Sequence, residues 1–196
     1  VGLWHLNGDA NDASGDPNDY DGNFEGGIED NETSCLFDTN CYDFDGVNDY
    51  DDFGDNLDMW QLDRSGCAWF KGEPNLEGSY GHGAIFGKTY CGAVNGRWGI
   101  SINADGYLRS VFVYPATTAI IATSAIQPLD DLWHHTCVVY DRDKDMELYF
   151  DGGLVASTDI SARSTASMGN SSSFMIGRYS EGGVCTLSFK GSIDEV

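Results

Sequence analysis

The amino-acid sequence predicts an all-β protein built as a sandwich of two antiparallel sheets. Helical periodicity is nearly absent, whereas short runs alternate apolar and small or polar residues, as in Trp98–Ile102 and Met146–Phe150. Turn residues lie between such runs: Asp105-Gly106 and Asp151-Gly152-Gly153 are typical of tight hairpins, because Gly and Asp tolerate the positive φ of those turns. Alternation with a period of two and frequent turns together indicate strands rather than helices.

The same pattern, followed along the chain, gives an ordered set of strands within one domain that spans residues 1–196. Residues 7–40 are rich in Asp, Asn and Gly and are predicted to form long ordered loops. Residues 115–128 are small and apolar, and they fit either a strand with a covering loop or an exposed patch for a partner. The predicted strands are Leu3–Leu6, Tyr42–Asp45, Cys67–Lys71, Gly83–Lys88, Trp98–Ile102, Tyr107–Val113, Trp133–Tyr140, Met146–Phe150, Leu154–Ser157, Phe174–Arg178 and Leu187–Val196.

Charge and cysteine content restrict the function classes. The formal net charge is −22, from 32 acidic against 10 basic residues, which argues against nucleic-acid binding because phosphate contacts need clustered Lys and Arg. Six cysteines without a C-x-x-C pair favour disulfides over a zinc site, and therefore an extracellular or cell-surface location. The sequons at Asn31 and Asn170 are candidate glycosylation sites. We expect a piece of a longer secreted protein that does not insert into membranes.

Several phrases, taken in order, carry a family resemblance. Tyr42–Tyr50 reads Tyr-Asp-Phe-Asp-Gly-Val-Asn-Asp-Tyr, and Cys67–Lys71 reads Cys-Ala-Trp-Phe-Lys. They are followed by Trp-His-His-Thr-Cys-Val-Val-Tyr-Asp at 133–141, by Leu-Tyr-Phe-Asp-Gly at 148–152 and by Lys-Gly-Ser-Ile-Asp-Glu-Val at 190–196. This succession resembles the laminin-G-like branch of the concanavalin A-like lectin/glucanase superfamily over essentially the whole chain.

The resemblance implies a jelly-roll sandwich that acts as a non-catalytic extracellular binding or adhesion module. Its partner would be a carbohydrate or an extracellular protein, recognised through loops or the concave sheet. An alternative is a structural subunit or repeat of an extracellular filament or appendage, which would self-associate into a polymer. A glycoside hydrolase is the third reading, because the superfamily also contains glucanases.

The sequence gives little support to catalysis. Retaining glycosidases need two carboxyl groups about 5 Å apart, and the nearest candidate phrases, Asp143–Glu147 and Ser192–Glu195, fall in a predicted turn and in the closing strand without a leading Glu. His134 and His135 are adjacent in a predicted strand and therefore point to opposite faces, so they cannot hold one metal together. We predict no catalytic residues.

Calcium is the cofactor that the acidic composition favours, in a structural role. Carboxylate and carbonyl oxygens are its preferred ligands, and the loop after the opening strand offers Asn7, Asp9 and Asp12. Resemblance to calcium-bearing jelly rolls adds Asp194, which would lie beside the opening strand. The predicted metal ligands are therefore Asn7, Asp9, Asp12 and Asp194.

Cysteines and aromatic residues supply the other candidates. Cys35 and Cys41 would close a short loop, Cys67 and Cys137 lie in predicted core strands and could form a cross-strand or cross-sheet bridge, and Cys91 and Cys185 would be left to pair. Sequence alone does not fix this connectivity. Aromatic rings stack on sugar rings, and the stacking candidates are Trp60, Tyr80, Trp98 and Tyr107.

Overall fold

The computed structural model describes residues 1–30, 35–37, 40–74, 83–88, 96–114, 119–181 and 184–196, with backbone alone at 29–30, 179–181 and 184–187. This part of the chain is all-β apart from one short 3-10 helix at Ser161–Arg163, and it contains no helix long and apolar enough to cross a membrane. The strands are β1 (Asn23–Glu25), β2 (Glu29–Asp30), β3 (Tyr42–Asp45), β4 (Tyr50–Asp52), β5 (Arg64–Gly72), β6 (Ala84–Lys88), β7 (Arg97–Ile102), β8 (Leu108–Val113), β9 (Ala119–Thr123), β10 (Trp133–Tyr140), β11 (Asp145–Phe150), β12 (Gly153–Asp159), β13 (Phe174–Ile176), β14 (Arg178–Glu181), β15 (Val184–Ser188) and β16 (Lys190–Asp194).

Two seven-stranded antiparallel sheets form the sandwich, which confirms the predicted fold class. The first has the order β1-β4-β13-β6-β7-β8-β9, and the second has the order β12-β11-β10-β5-β16-β3-β2. Neighbours such as β16 and β3 are far apart in sequence, so distant parts of the chain are paired to build each sheet. The strands β14 and β15 make a separate two-stranded hairpin.

The predicted strands agree with the observed ones, with differences near both ends of the chain. Leu3–Leu6 is not a regular strand: Trp4 exchanges two backbone hydrogen bonds with Val196, at 2.8 and 2.9 Å. The positive φ of Leu6 (53°) and Glu195 (50°) turns the backbone away on either side of this pair. The loop-rich region 7–40 contains the short strands β1 and β2, and the closing stretch is divided at Phe189 into β15 and β16.

Aromatic packing between the sheets forms the centre of the core. The ring of Phe174 on β13 lies 5.4 Å from Trp4, 5.5 Å from Phe53 and 5.6 Å from Trp98, measured between ring centroids. Tyr140 on β10 reaches across to the other sheet, where its hydroxyl accepts a hydrogen bond from the Gly99 amide at 3.0 Å. A buried hydroxyl needs such a partner, so this bond fixes how the two sheets face each other.

Two disulfides are present among the described residues. Cys35 is bonded to Cys41, as the short loop predicted, and Cys67 is bonded to Cys137. The second bridge joins directly opposed residues of β5 and β10, so it is a cross-strand link within one sheet and not a link between sheets. Cys91 and the side chain of Cys185 lie outside the described residues.

Candidate functional site

The loop from Phe53 to Asp63, which joins β4 to β5, has an unusual backbone. Leu57 and Trp60 both have positive φ, at 55° and 46°, in a region that large L-residues rarely adopt. Between them the side chain of Met59 is fully buried and anchors the loop in the core. Strained residues persist only where the surroundings hold them, and they cluster at binding sites. The residues around Trp60 are therefore the first place to look for a binding site.

Lys88 supports this loop from the protein core. Its side chain is fully buried, and its Nζ atom donates to Oδ1 of Asp55 and to the carbonyl of Asn56, both at 2.7 Å. Nζ also lies 3.0 Å from Oδ1 of Asp58. A buried ammonium is tolerated only when it is paired and hydrogen-bonded, so Lys88 fixes Asp55, Asn56 and Asp58 of the loop at once.

Arg142 holds the other end of the loop. Its guanidinium donates to the carbonyl of Trp60 at 3.0 Å and to the carbonyl of Ala166 at 2.6 Å, while its planar group lies over the Phe112 ring. The carbonyl of Trp60 also accepts the amide of Met168 at 2.8 Å. The backbone of Trp60 is thus fixed by two donors, whereas its side chain is 55% exposed.

A polar pocket of about 240 Å³ opens beside Trp60, and we call it the end pocket. Its lining includes Asp55 and Asp58, whose carboxylates are bound to Lys88, together with Trp60 and Arg64, whose guanidinium donates to the carbonyl of Asp58 at 3.2 Å. It thus combines an exposed aromatic ring with carboxylate, amide and guanidinium groups on a rigid loop. The lining residues are Val1, Tyr20, Asp55, Asn56, Leu57, Asp58, Trp60 and Arg64.

A second space, which we call the inner cavity, adjoins the end pocket and lies between strands of the two sheets. Its volume is about 460 Å³, and Val1, Leu57 and Arg64 line both spaces. Its lining is mostly apolar and includes Leu3, Val196 and the aromatic residues Trp4, Phe86, Phe174 and Trp98.

Among the predicted calcium ligands, Asp12 is bound by backbone amides of the opening segment. Asp12 accepts the backbone amides of Leu3 and Ser14 on one oxygen and that of Tyr20 on the other. Burial acts to raise the pKa of Asp12, but these backbone hydrogen bonds outweigh it, and its pKa lies below the usual value. Asp9 accepts the amide of Asn11, and Asn7 is exposed. Asp12 therefore organises the opening loop through its backbone.

Asp194 lies at the end of β16 with its side chain 1% exposed, directly opposite Trp69 of β5. The next residue, Glu195, binds Nδ1 of His5 at 2.8 Å, so the opening and closing segments do meet, through Trp4–Val196 and His5–Glu195. Asp9, Asp12 and Asp194 are not a group whose carboxylate oxygens all lie within 4.8 Å of one another. Calcium at these residues stays a prediction.

One cluster of metal-type ligands does occur in the described part of the chain: Cys67, His135 and Cys137. Both sulfurs belong to the same disulfide and are therefore not thiolates. The ring of His135 packs against Trp69 at 5.0 Å. His134 faces the other way, between Asp130 and Asp151, at 3.1 and 2.8 Å. The two histidines thus have packing and hydrogen-bonding roles.

The remaining candidates are dispersed. Trp98 is only 6% exposed and stacks on Phe174, so it offers no face to a sugar on the surface, although it lines the inner cavity. Tyr107 is half-buried beside the turn at Asn103, away from the end pocket. Nδ2 of Asn170 donates to the carbonyl of Gly96 at 2.9 Å. Tyr80 and Asn31 lie outside the described residues.

A family model for the concanavalin A-like lectin/glucanases superfamily, of the laminin-G type, matches residues 45–196. The match includes the loop that carries Trp60 and both strands joined by the Cys67–Cys137 disulfide. The chain belongs to this superfamily. No curated protein sequence matches it.

Solved structures share the superfamily's fold with this domain at low sequence identity. The binding domain of Paraclostridial Mosquitocidal Protein 1 has a TM-score of 0.76 and 17% identity, over 100% of this chain and 47% of that one. Domain 4 of AbnA, a GH43 extracellular arabinanase from Geobacillus stearothermophilus, was solved in complex with arabinotriose. It has a TM-score of 0.69 and 14% identity, over 99% of this chain and 88% of that one. Domains LG4-5 of the mouse laminin alpha1 chain have a TM-score of 0.53 and 18% identity, over 72% of this chain and 36% of that one. The chain thus spans less than half of the first and third of these.

The sequence offered Trp60 as one of several stacking candidates and did not single out the residues that hold its backbone. Lys88 ends a predicted strand and Arg142 follows another, and neither was selected as a candidate. A signal was available for one of them: the chain has only 10 Lys and Arg residues, and Arg142 follows directly after the Val-Val-Tyr-Asp phrase of a core strand. Its burial depends on the loop 160–168, which sequence does not place.

Proposed function

We propose that this domain is a non-catalytic carbohydrate-binding module that holds a sugar in the end pocket, with a sugar ring against the exposed face of Trp60. The observation that carries the proposal is Trp60 itself: a 55% exposed indole whose backbone is fixed by Arg142 and Met168. An exposed aromatic ring that is rigidly held offers a stacking surface at little entropic cost.

The polar groups around Trp60 suit a sugar. Hydroxyl groups both donate and accept hydrogen bonds, and the end pocket offers carboxylate acceptors at Asp55 and Asp58 together with guanidinium donors at Arg64. The structurally similar arabinanase domain was solved with arabinotriose, which agrees with an oligosaccharide ligand. The disulfides support an extracellular location, because disulfides persist in oxidising compartments.

Two features favour binding over hydrolysis. Glycoside hydrolysis needs a general acid together with a base or nucleophile, whereas the two carboxylates of the end pocket share one ammonium, that of Lys88. The candidate phrases Asp143–Glu147 and Ser192–Glu195 contribute only Glu195 to either space, at the inner cavity, where it is bound to His5.

A glycan array, read together with the state of the protein in solution, tests this proposal. We expect a monomer by analytical ultracentrifugation that retains a defined group of glycans and releases no reducing sugar from them. A polymer that retains no glycan would contradict the proposal and favour the filament subunit.

A further inference from the structure

Sugar binding in the end pocket leaves the inner cavity without a role. At about 460 Å³ it is in the size range of small-molecule sites, and it lies between the sheets, where close packing is the rule. Its lining joins the aromatic residues Trp4, Phe86, Phe174 and Trp98 to the aliphatic residues Leu3, Leu57 and Val196. A lining that is mostly apolar favours hydrocarbon or aromatic groups over water.

Two buried N–H donors on these walls lack partners in the described part of the chain. They are Nε1 of Trp98 and Nε of Arg64. An unpaired buried donor is costly, and proteins normally satisfy such groups with protein, water or ligand. An occupant that satisfies them must carry acceptor oxygens as well as apolar atoms.

The connection to the end pocket defines the orientation of that occupant. Val1, Leu57 and Arg64 line both spaces, so the two spaces adjoin and a single molecule that occupies both would pass beside Arg64. Oxygens that link a sugar to an apolar group would pass beside the Arg64 guanidinium, which is where the unpaired Nε lies.

We propose, resting on the proposed function, that the ligand is an amphipathic glycoconjugate: its sugar occupies the end pocket and its apolar acyl, alkyl or aryl group enters the inner cavity. Apolar burial then adds to the affinity that the sugar contacts supply. The domain would thus recognise the junction between a sugar and an apolar group, and not a free oligosaccharide alone.

Methyl and n-octyl glycosides of the sugar selected by the glycan array test this inference by isothermal titration calorimetry, below the micelle concentration. Each buried methylene group adds to binding, so we expect the octyl glycoside to bind at least about tenfold more tightly. Equal affinity of the two glycosides would overturn the inference and leave the proposed function standing.

A filled cavity provides the matched variant. Leu3 is half-buried and lines the inner cavity but not the end pocket. Leu3→Trp should remove the advantage of the octyl glycoside and leave the methyl glycoside affinity unchanged. Leu132→Trp, at an exposed position that lines neither space, is the control and should retain the full advantage. An advantage that persists in Leu3→Trp would show that the chain binds elsewhere, and it would overturn the inference.

A probe without a sugar separates the two proposals. Anilinonaphthalene sulfonate should fluoresce with the unaltered chain, should be displaced by the octyl but not the methyl glycoside, and should not bind Leu3→Trp. No binding of this probe would contradict the cavity as an apolar site. Binding of the probe without any glycan on the array would contradict the proposed function and leave the cavity as a site for an apolar ligand.

Discussion

Nζ of Lys88 lies 3.0 Å from Oδ1 of Asp58, and the lysine side chain is completely buried while the aspartate remains 17% exposed. The ammonium therefore supports, from within the core, the loop that presents Trp60. Its carboxylate partners are the same groups that a sugar would meet.

Replacing Lys88 should lower the stability of the fold. Lys88→Met keeps a side chain of similar length but removes the ammonium that pairs with Asp58. Removing one partner of a buried ion pair lowers the free energy of unfolding by about 3 kcal/mol. We expect a loss of this size in the free energy of unfolding in urea. Asp55→Asn is the matched comparison, because Asp55 is 54% exposed and its loss should cost much less. Equal losses for both variants would contradict this role of Lys88.

Arg142 should act on sugar binding through the position of Trp60. Arg142→Lys retains the charge but cannot donate to the carbonyls of Trp60, Arg163 and Ala166 together, because a single ammonium lacks the guanidinium fork. We expect about a tenfold weaker glycan affinity by calorimetry, with the protein still folded by circular dichroism. The control is Arg178→Lys, whose guanidinium lies over Tyr50 and outside the end pocket; it should leave the affinity unchanged.

Asp51 should make the fold less stable as the pH rises. Its carboxyl is fully buried, and burial, assisted by the charge of Asp52 and opposed only in part by a backbone hydrogen bond from Asp52, raises its pKa from 3.8 to about 8. Between these two values the folded chain keeps the proton that the unfolded chain releases. The free energy of unfolding should therefore fall by about 1.4 kcal/mol per pH unit across this window and level off above it.

Urea unfolding from pH 4 to 9 measures this effect by comparison with Asp51→Asn, which cannot ionise. The difference between the two chains should grow in favour of the variant as the pH rises. Asp105→Asn, at an exposed position, should follow the unaltered chain. Parallel pH profiles for the Asp51 variant and the unaltered chain would rule out a buried neutral carboxyl.

Calcium at Asn7, Asp9, Asp12 and Asp194 remains the sequence-based prediction, and an ion there would have to draw the carboxylates together. We expect EDTA to lower the melting temperature by several degrees and added calcium to restore it, because a ligand that binds only the folded state stabilises it. An unchanged melting curve would mean that backbone hydrogen bonds to Asp12 suffice for the opening loop.

The sequence predicted the sandwich because alternation and turns are local signals. Strand β10 was expected at Trp133–Tyr140 and is observed there, and Trp60 was selected as an aromatic residue in a loop. The support of Trp60 was not predictable, because Lys88 and Arg142 reach its loop from two segments that are distant from it in sequence. Trp98 shows the converse: its strand was correct, but its burial against Phe174 depends on a contact between residues far apart in sequence.

The affinity of the array-selected glycan for Trp60→Ala tests the central claim most directly. Leu62→Ala is the matched control, because Leu62 is equally exposed on the same loop and lines neither space. Loss of one stacking ring should weaken binding about tenfold or more, with Leu62→Ala and the unaltered chain indistinguishable by calorimetry. Full affinity in Trp60→Ala would contradict the end pocket as the sugar site.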